Sequence, residues 1–90
     1  MNLRKISDLK GLGKKSEEML AQVGIHTVDE FLSADPFLLY RDLKEKVPGT
    51  SLNALYAIIG AQENCHWQDI AKHLRAEILL KLDDMGIAPK

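Results

Sequence analysis

Cysteine, long apolar runs and an excess of either charge are what this chain of 90 residues lacks. Its one cysteine, Cys65, cannot form an intramolecular disulfide, which excludes a bridge-stabilised secreted fold and makes a reducing cytoplasm the expected location. The longest apolar stretch, Ala54 to Ala61, is far too short to cross a bilayer, and the opening MNLRKISD holds no apolar run of signal-peptide length, so no membrane partner is expected. A formal net charge of −1 argues against a protein that coats nucleic acid or anionic membrane indiscriminately, since such affinity grows with the number of phosphates neutralised. Glycine and proline are not enriched, and no segment shows the sustained β-branched alternation of a strand.

What remains is the composition of a globular domain. At this length a folded chain buries roughly 60 to 65 % of the surface it would expose unfolded, enough for one core. With no internal repeat and no linker, residues 1–90 are expected to form a single domain with its core at about 6–86.

Apolar residues recur at three- and four-residue spacing between helix start and stop signals, so the expected fold is all-α, a compact bundle of five to six helices. Ile6 to Lys10 reads as a short first turn capped by Ser7 or Asp8. A helix from about Lys14 to Gln22 follows, with Met19, Leu20 and Val23 inward and Gly24 as its stop. Thr27 and Glu30 have the spacing of a capping box, and Ile25 and Phe31 are placed to staple it, which starts a helix running to about Ala34. Asp35-Pro36 combines a cap with proline at the first helical position and opens a helix to about Lys46, with Phe37, Leu39, Tyr40 and Leu43 as core candidates. Val47-Pro48-Gly49 ends it. Ser51 is expected to cap LNALYAIIGAQ, which is apolar around nearly its whole circumference and therefore central. Gly60 inside that helix implies a close crossing by a neighbour. Asn64 breaks the helix, and a last helix is expected from about Trp67 to Met85, with Ile70, Leu74, Ile78 and Leu82 four apart.

Charge is unevenly placed despite its near-zero total. Arg4, Lys5, Lys10, Lys14 and Lys15 face only Asp8 in residues 1–15, a net of +4, while residues 16–38 hold Glu17, Glu18, Asp29, Glu30 and Asp35 with no cation, a net of −5. The basic end contains Gly11-Leu12-Gly13. Two glycines one residue apart permit a tight reversal and leave the amides of Gly11, Leu12 and Gly13 unobstructed. The helix that follows aims its own unsatisfied N–H groups and positive dipole end the same way, which suits an anion. Lys10, Lys14 and Lys15 add mobile positive charge beside them. The same glycines also suit a plain turn between helices.

The run LKGLGKKSEEMLAQVGIHT resembles the helix-hairpin-helix motif, with Leu9, Gly11, Leu12, Gly13, Leu20, Gly24 and Ile25 at the places that define it. The resemblance implies an N-terminal helix-hairpin-helix unit whose Gly11, Leu12 and Gly13 amides touch DNA phosphates without reading sequence, with Lys10, Lys14 and Lys15 in support. Over roughly residues 8 to 82, GLGKKSEEMLAQVGIHTVDEF, SLNALYAIIGA, HWQDI and Arg75 in order resemble the C-terminal domain of the TfoX (Sxy) competence regulators. That resemblance implies a cytoplasmic, non-enzymatic role in regulating genes for DNA uptake, alongside another transcription factor or a second copy of the chain. Full-length regulators of this kind carry an α+β domain ahead of the helical one, so the chain reads as a stand-alone relative or an excised domain.

Other residues invite chemistry and carry little of it. Cys65 and His66 are adjacent at a helix start and have no orienting carboxylate, so a catalytic dyad is not expected. His66 and His73 are about 10 Å apart along a helix, whereas two imidazoles on one zinc each lie about 2 Å from it. His26 reads as a surface or capping residue, and Trp67, Tyr40 and Tyr56 as packing residues. No catalytic residue, metal, cofactor or small-molecule substrate is expected. The alternative to the nucleic-acid role is a protein-interaction or dimerisation module whose hairpin is purely structural and whose working surface is the acidic region around Glu17, Glu18, Asp29 and Glu30 or an apolar dimer face.

Overall fold

The computed structural model describes residues 5–87 and contains one 3-10 turn, Ile6–Asp8, followed by six helices. They are α1 (Lys14–Ala21), α2 (Val28–Ser33), α3 (Pro36–Lys46), α4 (Leu52–Glu63), α5 (Trp67–His73) and α6 (Arg75–Asp84), with no strand among the described residues. The architecture is the all-α bundle expected from the spacing of apolar residues. Arg4, counted in the basic amino-terminal stretch, lies outside the described residues.

Most helix boundaries follow from local chemistry. The Thr27 hydroxyl accepts from the Glu30 amide at 3.1 Å while the Glu30 carboxylate accepts from the Thr27 amide at 3.0 Å, the reciprocal pair that starts α2. Asp35 Oδ1 accepts from Phe37 N at 2.9 Å with Pro36 at the first position of α3. Asn64 takes the left-handed conformation, φ 57° and ψ 41°, and stops α4.

Of the two caps expected for the first turn, Asp8 is the one used: its carboxylate accepts from Lys5 N at 3.0 Å, while the Ser7 amide donates to Glu17 Oε2 at 3.0 Å. Two expectations need correction. Ser51 occupies the N-cap position of α4 but makes no side-chain capping bond. Its neighbour Thr50 donates through Oγ1 to the carbonyls of Leu43 and Val47, adding a second donor to acceptors that already hold the amides of Val47 and Thr50 and so tying the turn to the end of α3. The last helix is two helices, because Leu74 has φ −115° and ψ 5° and serves as the C-cap of α5 and the N-cap of α6. The cause is geometric. Residues four apart drift about 40° per step around a 3.6-residue helix, so a straight rod would turn Ile70 and Leu82 about 120° apart. The break at Leu74 lets Ile70, Ile78 and Leu82 enter one cluster.

The core divides in two around α3 and α4. The first cluster joins Ile6, Leu9, Leu12 and Leu20 to Phe31, Leu43 and Ile58. The second joins Tyr40, Leu55, Tyr56 and Ile59 to Ile70, Ile78 and Leu82. The central helix α4 is buried at Leu55, Tyr56, Ile58, Ile59, Gly60 and Ala61 and feeds both. Gly60 is the tight point: a Cβ there would lie 2.7 Å from the Cys65 carbonyl oxygen and 3.3 Å from Trp67 N. The close neighbour is the turn after α4 and the first residue of α5. Gln62 ties the halves of the chain together, donating through Nε2 to the carbonyls of Phe31 and Ala34 at 2.9 Å each, which holds the end of α2 against α4.

Candidate functional site

Leu9 and Leu12 are both buried in the first cluster and fix the two ends of the hairpin. Between them the chain reverses through Gly11, whose φ of +79° is a conformation that L side chains rarely adopt. The bend is closed from within by the Leu12 amide, which donates to the Leu9 carbonyl at 3.1 Å. Leu12 therefore leaves the expected set of outward donors, because its N–H is used in the turn and its side chain in the core. Gly13 is extended, with φ −130° and ψ −169°, so its backbone does not require glycine. What the missing side chain does there is keep the N-cap of α1 bare: Gly13 offers no capping group, and nothing lies within 4 Å of where its Cβ would be.

The bare cap leaves donors open. Among the described residues no hydrogen bond uses the amides of Gly11, Gly13, Lys14, Lys15 or Ser16, and the first intrahelical bond of α1 runs from Glu17 N to the Gly13 carbonyl at 3.1 Å. Lys14, Lys15 and Ser16 present theirs along the helix axis, where the dipole adds positive potential. Lys10, Lys14 and Lys15 are exposed beside them. The ion pair among the described residues is elsewhere, between Arg41 and Asp42 at 3.7 Å. Glu17 holds the Ser7 amide and so binds the 3-10 turn to α1. Of the six residues marked in the sequence, five sit together as exposed donors or cations, and Leu12 is their anchor.

The residues that invited chemistry are occupied otherwise. Cys65 Sγ is directed to the Glu63 carbonyl at 3.4 Å, and His66 Nδ1 accepts from Gln68 N at 3.1 Å as the cap of α5. The His66 and Trp67 rings stack with centroids 6.0 Å apart. Trp67 packs against the second cluster, to which Tyr40 and Tyr56 belong. The His26 amide donates to Glu30 Oε1 at 3.0 Å. Among the described residues no three or more His, Cys, Asp or Glu side chains are grouped to hold a metal ion, and no helix is long and apolar enough to cross a membrane.

Two features were not read from the sequence. Ser16 extends the open donors by one residue, and the glycine at the N-cap was the available signal, since a bare cap frees the first turn. Beside it lies an apolar cleft of about 70 Å³ between α1, α3 and α4, with Leu12, Met19, Leu43, Ala54, Ala57 and Ile58 on its walls and Ser16 at its edge. Small residues at 54 and 57 on α4 leave that space, which depends on how three helices meet and has no local signature.

Comparison with curated proteins and with solved structures gives no match. The family described as the TfoX C-terminal domain matches over residues 2–82, nearly the whole chain. A match of that extent places this chain in the TfoX C-terminal domain family.

Proposed function

We propose that this domain is a non-enzymatic, cytoplasmic regulatory module in the expression of DNA-uptake genes, which holds nucleic-acid backbone at its hairpin and works alongside another transcription factor. The observation that carries the reading is the bare N-terminus of α1, where the amides of Gly11, Gly13, Lys14, Lys15 and Ser16 have no hydrogen-bond partner among the described residues and Lys10, Lys14 and Lys15 stand exposed around them. Backbone amides and lysines that meet phosphate oxygens position a protein on nucleic acid without selecting its sequence. One such hairpin reaches two or three phosphates, so binding by a single copy is weak, with a salt slope of about −2 to −3.

The inward bond of Leu12 favours the rival reading, a connector hairpin in a protein-interaction module. A titration against duplex DNA at two salt concentrations separates the two. Wild type is expected to bind with the slope given above, and Lys14→Glu with Lys15→Glu to lose about two units of it. Absence of salt-sensitive binding by wild type, or equal binding by the double variant, would leave the hairpin as a connector.

A further inference from the structure

The helices of this chain begin on different chemistry. Thr27 and Asp35 cap α2 and α3 through oxygen, which accepts an amide throughout the neutral range, while Gly13, Ser51 and Leu74 make no side-chain capping bond at the starts of α1, α4 and α6. The start of α5 uses a ring nitrogen instead. His66 is its N-cap, with extended backbone at φ −70° and ψ 140°, and Nδ1 accepts from Gln68 N at 3.1 Å. Among the described residues it is the one side-chain cap whose type binds a proton between pH 5 and 8.

A ring nitrogen accepts a hydrogen bond only while it carries no proton. The bond to Gln68 requires the neutral imidazole with its proton on Nε2, and a second proton goes to Nδ1 and sets one donor against another. The charge it brings also lies at the positive end of the α5 dipole. The helix that depends on this cap is short, seven residues, and two turns of helix do not persist unaided. Its first residue is at the tight point of the fold, where the Cys65 carbonyl and Trp67 N cross Gly60, and the His66 ring stacks on that of Trp67 with planes 28° apart. Trp67 in turn packs against the second cluster. The ring that titrates thus touches the residue that anchors α5.

The elements packed against α5 are α4 and α6. Titratable groups there are Tyr56 and Glu63 on α4 and Arg75, Glu77, Lys81, Asp83 and Asp84 on α6, with Cys65 in the turn and Asp69, Lys72 and His73 on α5 itself. Glu63 and Asp69, nearest in the chain, are of the sign that favours an imidazolium. Among the described residues, however, no ion pair joins any of these groups to the His66 ring, whose hydrogen bond is to the Gln68 amide.

We infer that His66 is a proton-controlled catch on α5. Neutral, it caps the helix and holds the turn over Gly60; protonated, it releases the Gln68 amide and loosens the first turn of α5 from α4. The sign follows from which form makes the bond: the stabilisation is present where imidazole is neutral, above about pH 6.5, and is withdrawn as pH falls and the ring takes up its proton. The catch lies apart from the hairpin and does not rest on the nucleic-acid reading.

Two measurements on the full chain test it. In amide NMR of wild type from about pH 8 to about pH 5, the Gln68 N–H signal is expected to move in step with the titrating His66 ring. In thermal melting, His66→Asn supplies an oxygen cap that does not titrate in this range, so it is expected to melt close to wild type at about pH 8 and about 4 °C above it at about pH 5. His26→Gln with His73→Gln is expected to keep the wild-type difference from His66→Asn, which separates this ring from the other two. A Gln68 signal that stays still while His66 titrates, or a melting gap that is the same at both pH values, overturns the inference. Should His66→Asn not fold, the Gln68 signal of wild type decides alone.

Discussion

The two apolar clusters share α3 and α4 but are closed in different ways. The second holds Tyr40, Leu55 and Leu82 fully buried, with the turn after α4 pressed onto Gly60. The first, which holds the hairpin, leaves an open cleft between α1, α3 and α4, and the first-turn amides of α1 have no partner among the described residues. The open space and the open first-turn amides thus fall on the side of the first cluster, while the second holds a buried hydroxyl, that of Tyr40, without a partner among the described residues. Open donors carried by a buried helical core are the arrangement expected when binding groups are held on a scaffold.

Paired truncations test that contrast most strongly. Leu82→Ala, at a side chain with no exposure, is expected to destabilise toward the upper end of the about 2 to 5 kcal/mol range for buried leucines. Leu12→Ala is expected near the lower end, because Leu12 already borders open space and water can enter what is removed. Urea unfolding of both variants measures the difference. Equal losses would show that the first cluster is as tightly filled as the second.

Gly60→Ala comes next. Alanine favours a helix interior by about 1 kcal/mol over glycine. Here the new methyl group meets a backbone carbonyl 2.7 Å away, which cannot rotate aside as a flexible side chain would. A net loss of about 1 to 3 kcal/mol is expected from thermal melting, with DNA binding unchanged. A stabilised variant would mean that α5 can move away from α4 at little cost.

Tyr40→Phe works in the opposite direction. The Tyr40 hydroxyl is buried without a hydrogen-bond partner among the described residues. Removing it is expected to be neutral or to stabilise by up to about 1 kcal/mol in urea unfolding. Clear destabilisation would reveal a partner for the hydroxyl.

Legibility in the sequence followed the range of the interaction that decides each feature. Thr27-Glu30, Asp35-Pro36 and Asn64 act within a few residues, and the helix boundaries they imply are where they were expected. The break at Leu74 has no glycine or proline to announce it and arises because Ile70 and Leu82 must reach one cluster. Gly60 announced a close approach, but which element approached depended on the turn at Asn64 and Cys65. At the hairpin, Gly11 and the lysines were legible from composition. The inward amide of Leu12 was not, because a two-glycine bend is compatible with several hydrogen-bond patterns and the burial of Leu9 and Leu12 selects one. The cleft was invisible for the same reason, since it belongs to no single helix.

The smallest expected effect concerns the start of α2, whose buried residues Val28 and Phe31 belong to the first cluster. Glu30 Oε1 accepts from the amides of His26 and Thr27 at 3.0 Å each, and these bonds, that from His26 first, hold its carboxyl below the usual glutamate range against an opposing desolvation. A carboxyl whose pKa is lower folded than unfolded adds stability above its unfolded pKa, and that increment disappears as pH falls through the folded value. Wild type is therefore expected to melt above Glu30→Gln at neutral pH, with the gap closing below about pH 4. Because the group is fully exposed, the gap is small and is read as a trend in Tm across pH. A gap that does not change with pH would assign the effect to the geometry of the hydrogen bonds alone, since glutamine can still accept both, and would remove charge from the account of how α2 begins.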